Sequence, residues 1–195
     1  MEPSVRIVTG LPAGLERDAA ALYWEAFGAK LGRLLGPEAR ATDFFAATIN
    51  PSRVVAALSA DGTLLGIAAF KHGGQGFSHA GFRELYQHYG LSAFWRAIPL
   101  EMLERTPPED TLQMDGICVA AHARGRGVGS MLFQALFTLV KEHGLSRITL
   151  DVIDTNPRAK ALYERLGFQA VSEESTGPLR PLLGFKSATK MIRDV

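Results

Sequence analysis

The sequence predicts an α/β fold: a central mixed β-sheet of about six to seven strands with flanking helices, in one domain over residues 1–195. Three observations predict it. Two apolar runs, RVVAALS and LLGIAAFK, flank ADGT (60–63), and Asp-Gly between such runs is a strong signal for an antiparallel hairpin. Further on, LQMDGICVA, a glycine-rich turn, VGSMLFQALFTLVKEHG and RITLDVI read as strand, turn, helix, strand. That order is a right-handed crossover, which makes 112–120 and 147–153 parallel neighbours, expected as strands four and five. Between these two halves, residues 72–111 form a helical insert between strands three and four.

Each element has its own local reason. SVRIVT (4–9) alternates as a first strand, and Pro12 opens a helix through GLERDAAALYWEAFGAKLGRLL. Leu15, Ala19, Leu22, Phe27 and Leu31 approximate one apolar face of it. ATDFFAATIN is a second helix, with Thr42 or Asp43 as the expected N-cap, ending before Pro51. In the insert, HGGQG reads as a flexible connector, FRELYQHYG and SAFWRAIPLEMLER as helical segments, and TPPED as a turn. The insert is rich in aromatics: Phe77, Phe82, Tyr86, Tyr89, Phe94 and Trp95 are expected to pack it onto the body, with a wall over a substrate site or a homodimer contact as the alternatives. After the glycine turn, Val128, Leu132, Leu136, Leu139 and Val140 repeat at helical spacing and Gly144 is a natural stop. PRAKALYERLG is the next helix, and FQAVSEES and SATKMIR are the closing strands.

Composition narrows the function. Lys+Arg 21 against Asp+Glu 20 leaves a formal charge of +1, so no global basic field points to nucleic acid or an anionic membrane, and any anion is bound locally. The single cysteine, Cys118, excludes an intramolecular disulfide and fits a reducing compartment. No stretch approaches the ~18 apolar residues of a membrane span, and MEPSVRIVTG lacks a signal pattern, so a cytoplasmic protein is expected. No histidine pair has zinc-ligand spacing, and no metal is implied.

The chemistry is concentrated in HARGRGVGSML (122–132), where Gly125, Gly127 and Gly129 precede an apolar helix. A glycine in a helical setting costs about 1 kcal/mol relative to alanine, so the cluster needs a physical cause, and a ligand that touches the backbone is one. A helix N-terminus offers free N–H donors and the positive end of its dipole to phosphate oxygens, and Arg124 and Arg126 add charge beside it. Gly129 is followed by Ser130 and Met131 rather than Lys and Ser/Thr, which excludes a P-loop. The dinucleotide fingerprint fits poorly, since the sixth position from Gly125 is Ser130, although Asp151 partly mimics its ribose-binding acid.

Arg124, two residues, Gly127, one residue, Gly129, following a strand and opening a helix, resembles the acyl-CoA pyrophosphate loop of the GNAT superfamily of N-acyltransferases. DTNPRAKALYERLGF (154–168) resembles the second signature of that family. The resemblance implies a GNAT-type mixed sheet whose parallel fourth and fifth strands splay apart at their C-terminal ends, with pantetheine lying in the wedge and acetyl-CoA as co-substrate. It implies that Arg124, Gly125, Arg126, Gly127, Val128, Gly129 and Ser130 hold pyrophosphate. Backbone groups of Ile117, Cys118 and Val119 would pair with pantetheine, and an N–H near Val119 would stabilise the oxyanion. It also implies that Asn156 and Ala159, at the start of the next helix, help to hold the co-substrate; Asn156 itself has two readings, an N-cap or a hydrogen bond to the pantetheine arm. Tyr163 is either a buried structural tyrosine or, as the resemblance implies, the general acid to the leaving thiolate.

The base is less clearly marked. The strand position that carries glutamate in some members of the family is Gln113 here, which cannot accept a proton in that way. Asp115 lies two residues on, hence on the same face, in an apolar context that could raise its pKa, and stands as general base or as the anchor of a neighbouring loop. Glu25, Lys30, His72 and His79 are candidates to line an acceptor pocket, while His122 and His143 read as solvent-facing. Cys118 as an acyl carrier lacks an activating partner. The expected activity is acetyl transfer to a primary amine, on a small molecule or peptide, by direct attack in a ternary complex. A non-catalytic acyl-CoA-binding module and a nucleotide-dependent oxidoreductase are the alternatives.

Overall fold

The computed structural model describes residues 5–103, 106–177 and 180–195. Seven described strands form one sheet: β1 (Arg6–Thr9), β2 (Val54–Leu58), β3 (Leu64–Lys71), β4 (Thr111–Val119), β5 (Arg147–Ile153), β6 (Gln169–Ser175) and β7 (Ser187–Asp194). Their spatial order is β1-β2-β3-β4-β5-β7-β6. Only β4 and β5 pair in parallel; the remaining pairs are antiparallel. The expected hairpin and crossover are both present, and the helical insert sits between β3 and β4.

β2 and β3 are buried at every position because both sheet faces are covered, which is why they read as unbroken apolar runs. Val54, Ala56 and Leu58 face one core with α1 (Glu16–Leu35) and α2 (Glu38–Thr48). Val55 and Ala57 face the other, beneath α5 (Val128–Glu142), where Leu132, Phe133 and Leu136 have no exposure. β6 is exposed throughout, and its SEES sequence fits an edge strand kept from pairing further by charge and polarity. Among the described residues, no helix is long and apolar enough to cross a membrane.

Several boundaries differ from the sequence reading. The first helix starts at Glu16 rather than Pro12, because Gly14 takes φ +90 in a preceding turn and its N–H donates to Glu16 Oε2 at 2.8 Å. α2 begins just after Pro37, so Thr42 is a buried residue within it and caps nothing. HGGQG forms a tight turn instead of a loose connector: Gly73 and Gly74 have positive φ and His72 pairs with Gln75. The insert contains α3 (Phe82–Tyr89) and α4 (Ala93–Leu103), with Glu104 and Arg105, the end of the expected segment, outside the described residues. Its aromatics do not all pack inward. Phe77 and Tyr89 are buried, whereas Phe82, Tyr86, Phe94 and Trp95 are about half exposed, with Phe82, Tyr86 and Phe94 packed on one another. Past β5 come α6 (Pro157–Arg165) and, between the last two strands, the short α7 (Arg180–Leu183). Pro178 and Leu179, and Met1–Ser4 at the start of the first strand, lie outside the described residues.

Candidate active site at the splayed strands

The β4–β5 ladder is short. Thr111, Leu112 and Gln113 pair with Arg147, Ile148 and Thr149, and no pairing follows, although β4 continues to Val119 and β5 to Ile153. A register shift against β3 lies where Gly116 pairs with Ala69 and Met114 with Phe70, leaving Asp115 as the extra residue of a β-bulge. A bulge bends and twists its strand, which turns β4 away from β5. It also places Gln113, Asp115 and Gly116 on the lining of one cleft.

That cleft has a volume of about 820 Å³. Ile117, Asn156, Ala159 and Tyr163 line it, together with Tyr23, Phe27, Lys30, Phe45, Phe77 and Asp115. Ala120 N–H donates to Leu65 O at 2.9 Å, across to β3. By strand alternation Cys118 also turns its backbone to β3, while Ile117 and Val119 turn theirs to the gap. Val119 O already accepts from Arg124 Nε at 3.0 Å, which leaves its N–H and both polar groups of Ile117 facing the opening.

Beyond Val119 the chain makes a 3-10 turn over Ala121–Ala123 and enters the glycine segment. Gly125 has φ +75 and Gly127, the N-cap of α5, has φ +78, a region that strains any residue with a Cβ. These two glycines are required by the backbone itself. Gly129 is different: a Cβ there would meet only Val119 Cγ2, at 3.9 Å, so nothing among the described residues demands glycine. Among the described residues, no hydrogen bond of ordinary geometry ties the N–H groups of residues 125 to 130 to an acceptor, as expected where a helix begins. They form a cluster of donors at the positive end of the α5 dipole. The Val128 side chain is buried, so this residue offers only its N–H, and Ser130 and Arg126 are exposed.

Arg124 is placed differently from a free phosphate ligand. Its Nη2 lies 2.7 Å from Glu25 Oε1, and with the Val119 contact it ties the loop to α1 and to the end of β4. Both partners are more than half exposed or nearly so, and such a pair contributes about 0–1 kcal/mol, so orientation rather than stability is what it supplies. Glu25 is therefore engaged with the loop and does not line the cleft.

Tyr163 packs its ring against Phe133 and Phe168, with centroids at 5.8 and 6.1 Å, and borders the cleft. Burial pushes its hydroxyl up to about 12, so the phenol keeps its proton at neutral pH and can donate it. Asp115 Oδ2 accepts the Phe77 N–H at 2.9 Å, so the carboxylate holds the segment after β3 and faces the cleft at once. Burial, and next the negative charge of Glu25, pushes the Cys118 thiol up to about 12, which keeps it protonated and a poor nucleophile. Asn156 Oδ1 accepts the Ala159 N–H at 3.2 Å, so its oxygen is committed to capping α6 and only its amide NH₂ is left for another partner. Replacing Asn156 with Ala is expected to lower stability by about 1 kcal/mol, read as a shift of the urea midpoint at unchanged slope.

The remaining sequence candidates are scattered. Lys30 reaches the cleft with Nζ 5.3 Å from the centre of the Phe185 ring, and burial lowers its pKa, with Asp151 pulling the other way. His79 lines a separate polar hollow of about 330 Å³ that shares Lys71, Phe77, Ser78 and Asp115 with the main cleft. His72 and His143 have rings 6.1 Å apart and lie outside both linings, and His122 is exposed in the 3-10 turn. Among the described residues, no group of His, Cys, Asp and Glu could hold a metal ion. The reading from sequence missed Tyr23 as a cleft residue. It stacks on Phe77 at 4.3 Å, and burial, followed by Asp115 and Cys118, raises its pKa well above that of an ordinary phenol. The signal was there in the i, i+4, i+8 spacing of Tyr23, Phe27 and Leu31 along α1.

The acetyltransferase (GNAT) family model matches residues 17–168, most of the chain, and the protein belongs to that family. In sequence it is similar to mycothiol acetyltransferase of Corynebacterium jeikeium, 36% identical over 107 residues covering 55% of this chain and 29% of that protein. It is also similar to thialysine N-epsilon-acetyltransferase of Bos taurus, 34% identical over 62 residues covering 32% of this chain and 36% of that one. Each match thus spans well under half of the relative's length. In fold it is similar to a GCN5-related N-acetyltransferase from Kribbella flavida, with TM-score 0.64 at 20% identity over 98% of both chains. The ribosomal-protein-S18-alanine N-acetyltransferase from Escherichia coli aligns with TM-score 0.58 at 16% identity, over 98% of this chain and 94% of that one.

Proposed function

We propose that the protein is an acetyl-CoA-dependent N-acetyltransferase that acylates a primary amine by direct attack in a ternary complex. The observation that carries this is the pairing of two features along one strand. The β4–β5 ladder stops after Gln113 and Thr149, and a cluster of unpartnered N–H groups at 125–130 begins just beyond the end of β4. A pyrophosphate fits the second, and an amide-bearing arm fits the open backbone groups of Val119 and Ile117 in the first.

The co-substrate supplies an activated acyl group as a thioester. The N–H of Ile117 or Val119, facing the gap, stabilises negative charge on the carbonyl oxygen as the amine nitrogen bonds to the carbonyl carbon. Asp115, directly or through one water, takes the proton that the amine nitrogen must lose. As the carbon–sulfur bond breaks, the Tyr163 hydroxyl gives its proton to the sulfur, and the products are an amide and a free thiol. Cys118, buried and protonated, takes no part, consistent with transfer that needs no acyl-enzyme.

Free thiol release from acetyl-CoA, followed across a panel of small amines and peptide N-termini, is the decisive measurement. At least one acceptor is expected to release thiol in step with its acylation. Tight acetyl-CoA binding with no amine acylated would instead make the protein a binding module, and binding of NADH without coenzyme A would reject the reading.

A further inference from the structure

We propose that Phe27 closes the acyl end of the cleft and limits the donor to acetyl-sized acyl groups. The proposal rests on the acyltransferase reading and adds to it the size of the group transferred. Gly116 precedes Ile117, whose backbone polar groups face the gap, and both Gly116 and Phe27 border the cleft. A Cβ built on Gly116 would lie 2.6 Å from Phe27 Cζ, 2.7 Å from Cε2 and 3.4 Å from Tyr23 Cε2. The Phe27 ring therefore rests on the bare backbone of Gly116 and fills the volume that a side chain would otherwise occupy.

The ring is held from behind. Tyr23 lies 4.5 Å from it, and Tyr23 in turn stacks on Phe77 at 4.3 Å and meets Phe45 at 5.1 Å. Phe45 and Phe77 are both buried, so the wall is backed by packed rings and cannot retreat without opening the core. An arm that enters at residues 125 to 130 and runs along Val119 to Ile117 delivers its acyl carbons to the junction of Gly116 and Phe27. A methyl group fits against the ring face. Each added methylene meets a ring that Tyr23, Phe45 and Phe77 back on the side away from the cleft.

Calorimetric titration with CoA, acetyl-CoA and butyryl-CoA tests this without an acceptor, on the full chain and on Phe27→Ala and Phe27→Leu. The native protein is expected to bind acetyl-CoA about tenfold or more tighter than butyryl-CoA, the scale on which excess methylenes are rejected by a closed apolar pocket. Phe27→Ala should bring the two affinities close together by tightening butyryl-CoA, and Phe27→Leu should fall between. If Phe27→Ala melts too low to titrate, the conservative Leu variant carries the comparison alone. Equal affinities in the native protein, or a ratio unmoved by either substitution, would overturn the proposal and leave the acyltransferase reading intact. Failure of all three ligands to bind would overturn both.

Discussion

Replacing Tyr163 with Phe is expected to lower kcat by about a hundredfold or more, the usual contribution of a positioned general acid, with acetyl-CoA affinity nearly unchanged. The substitution removes one oxygen and keeps the ring that meets Phe133 and Phe168 at 5.8 and 6.1 Å, so the fold has no reason to respond. What is lost is a proton held beside the cleft. Because burial pushes the Tyr163 pKa to about 12, activity of the native protein should show no alkaline decline from this group through neutral and mildly basic pH. The same shift has a stability consequence. The folded pKa lies above the value of about 10 for an exposed tyrosine, so its contribution is intact below pH ~10 and is lost as pH rises toward 12. A phenylalanine ring has nothing to ionise, so the variant should lack that part of the alkaline loss. An unchanged kcat in Tyr163→Phe would mean that the sulfur leaves as a thiolate or takes its proton from water.

The parts of the architecture legible from sequence are those governed by local rules. Asp61-Gly62 announced the β2–β3 hairpin, and the strand–glycine–helix–strand order announced the one parallel pair, because turn chemistry and chirality act over a few residues. The α6 cap was legible for the same reason: Asn followed by Pro at the first helical position is a common helix start. Long-range geometry was not. Nothing local tells that Glu25 reaches Arg124, 99 residues away, or that Phe27 lies on Gly116, since those contacts exist only once α1 is laid across β4. The insert misled for a related reason. Phe82, Tyr86 and Phe94 have the spacing of a buried stripe, yet α3 and α4 turn much of that stripe outward, and periodicity says which residues share a face but not what the face meets. Asp115 stood from the outset between base and loop anchor, and the bulge lets one carboxylate face the cleft while it accepts the Phe77 N–H.

The glycine segment gives the other large effect, and it separates a backbone cause from a ligand cause. Gly127→Val should cost about 1–2 kcal/mol of stability, because φ +78 is the left-handed region where a Cβ meets the following carbonyl, and a β-branched side chain is the least tolerant there. It should also abolish acetyl-CoA binding, since the N-cap of α5 sets the direction of the N–H groups that follow. Gly129→Ala should split these outcomes. Gly129 lies inside α5 with no positive φ, and a methyl group would make only ordinary contact, at 3.9 Å, with Val119 Cγ2. By chain entropy and helix propensity alone, alanine there should stabilise the protein by about 0.4–1 kcal/mol. If a diphosphate nonetheless comes within van der Waals distance of that Cα, the more stable protein must bind acetyl-CoA more weakly. A denaturant midpoint that rises while the calorimetric affinity falls has no explanation within the chain and requires a ligand at the mouth of α5. A variant that is more stable and binds as tightly as the native protein would remove the diphosphate from residue 129 and force it to be placed elsewhere along the loop.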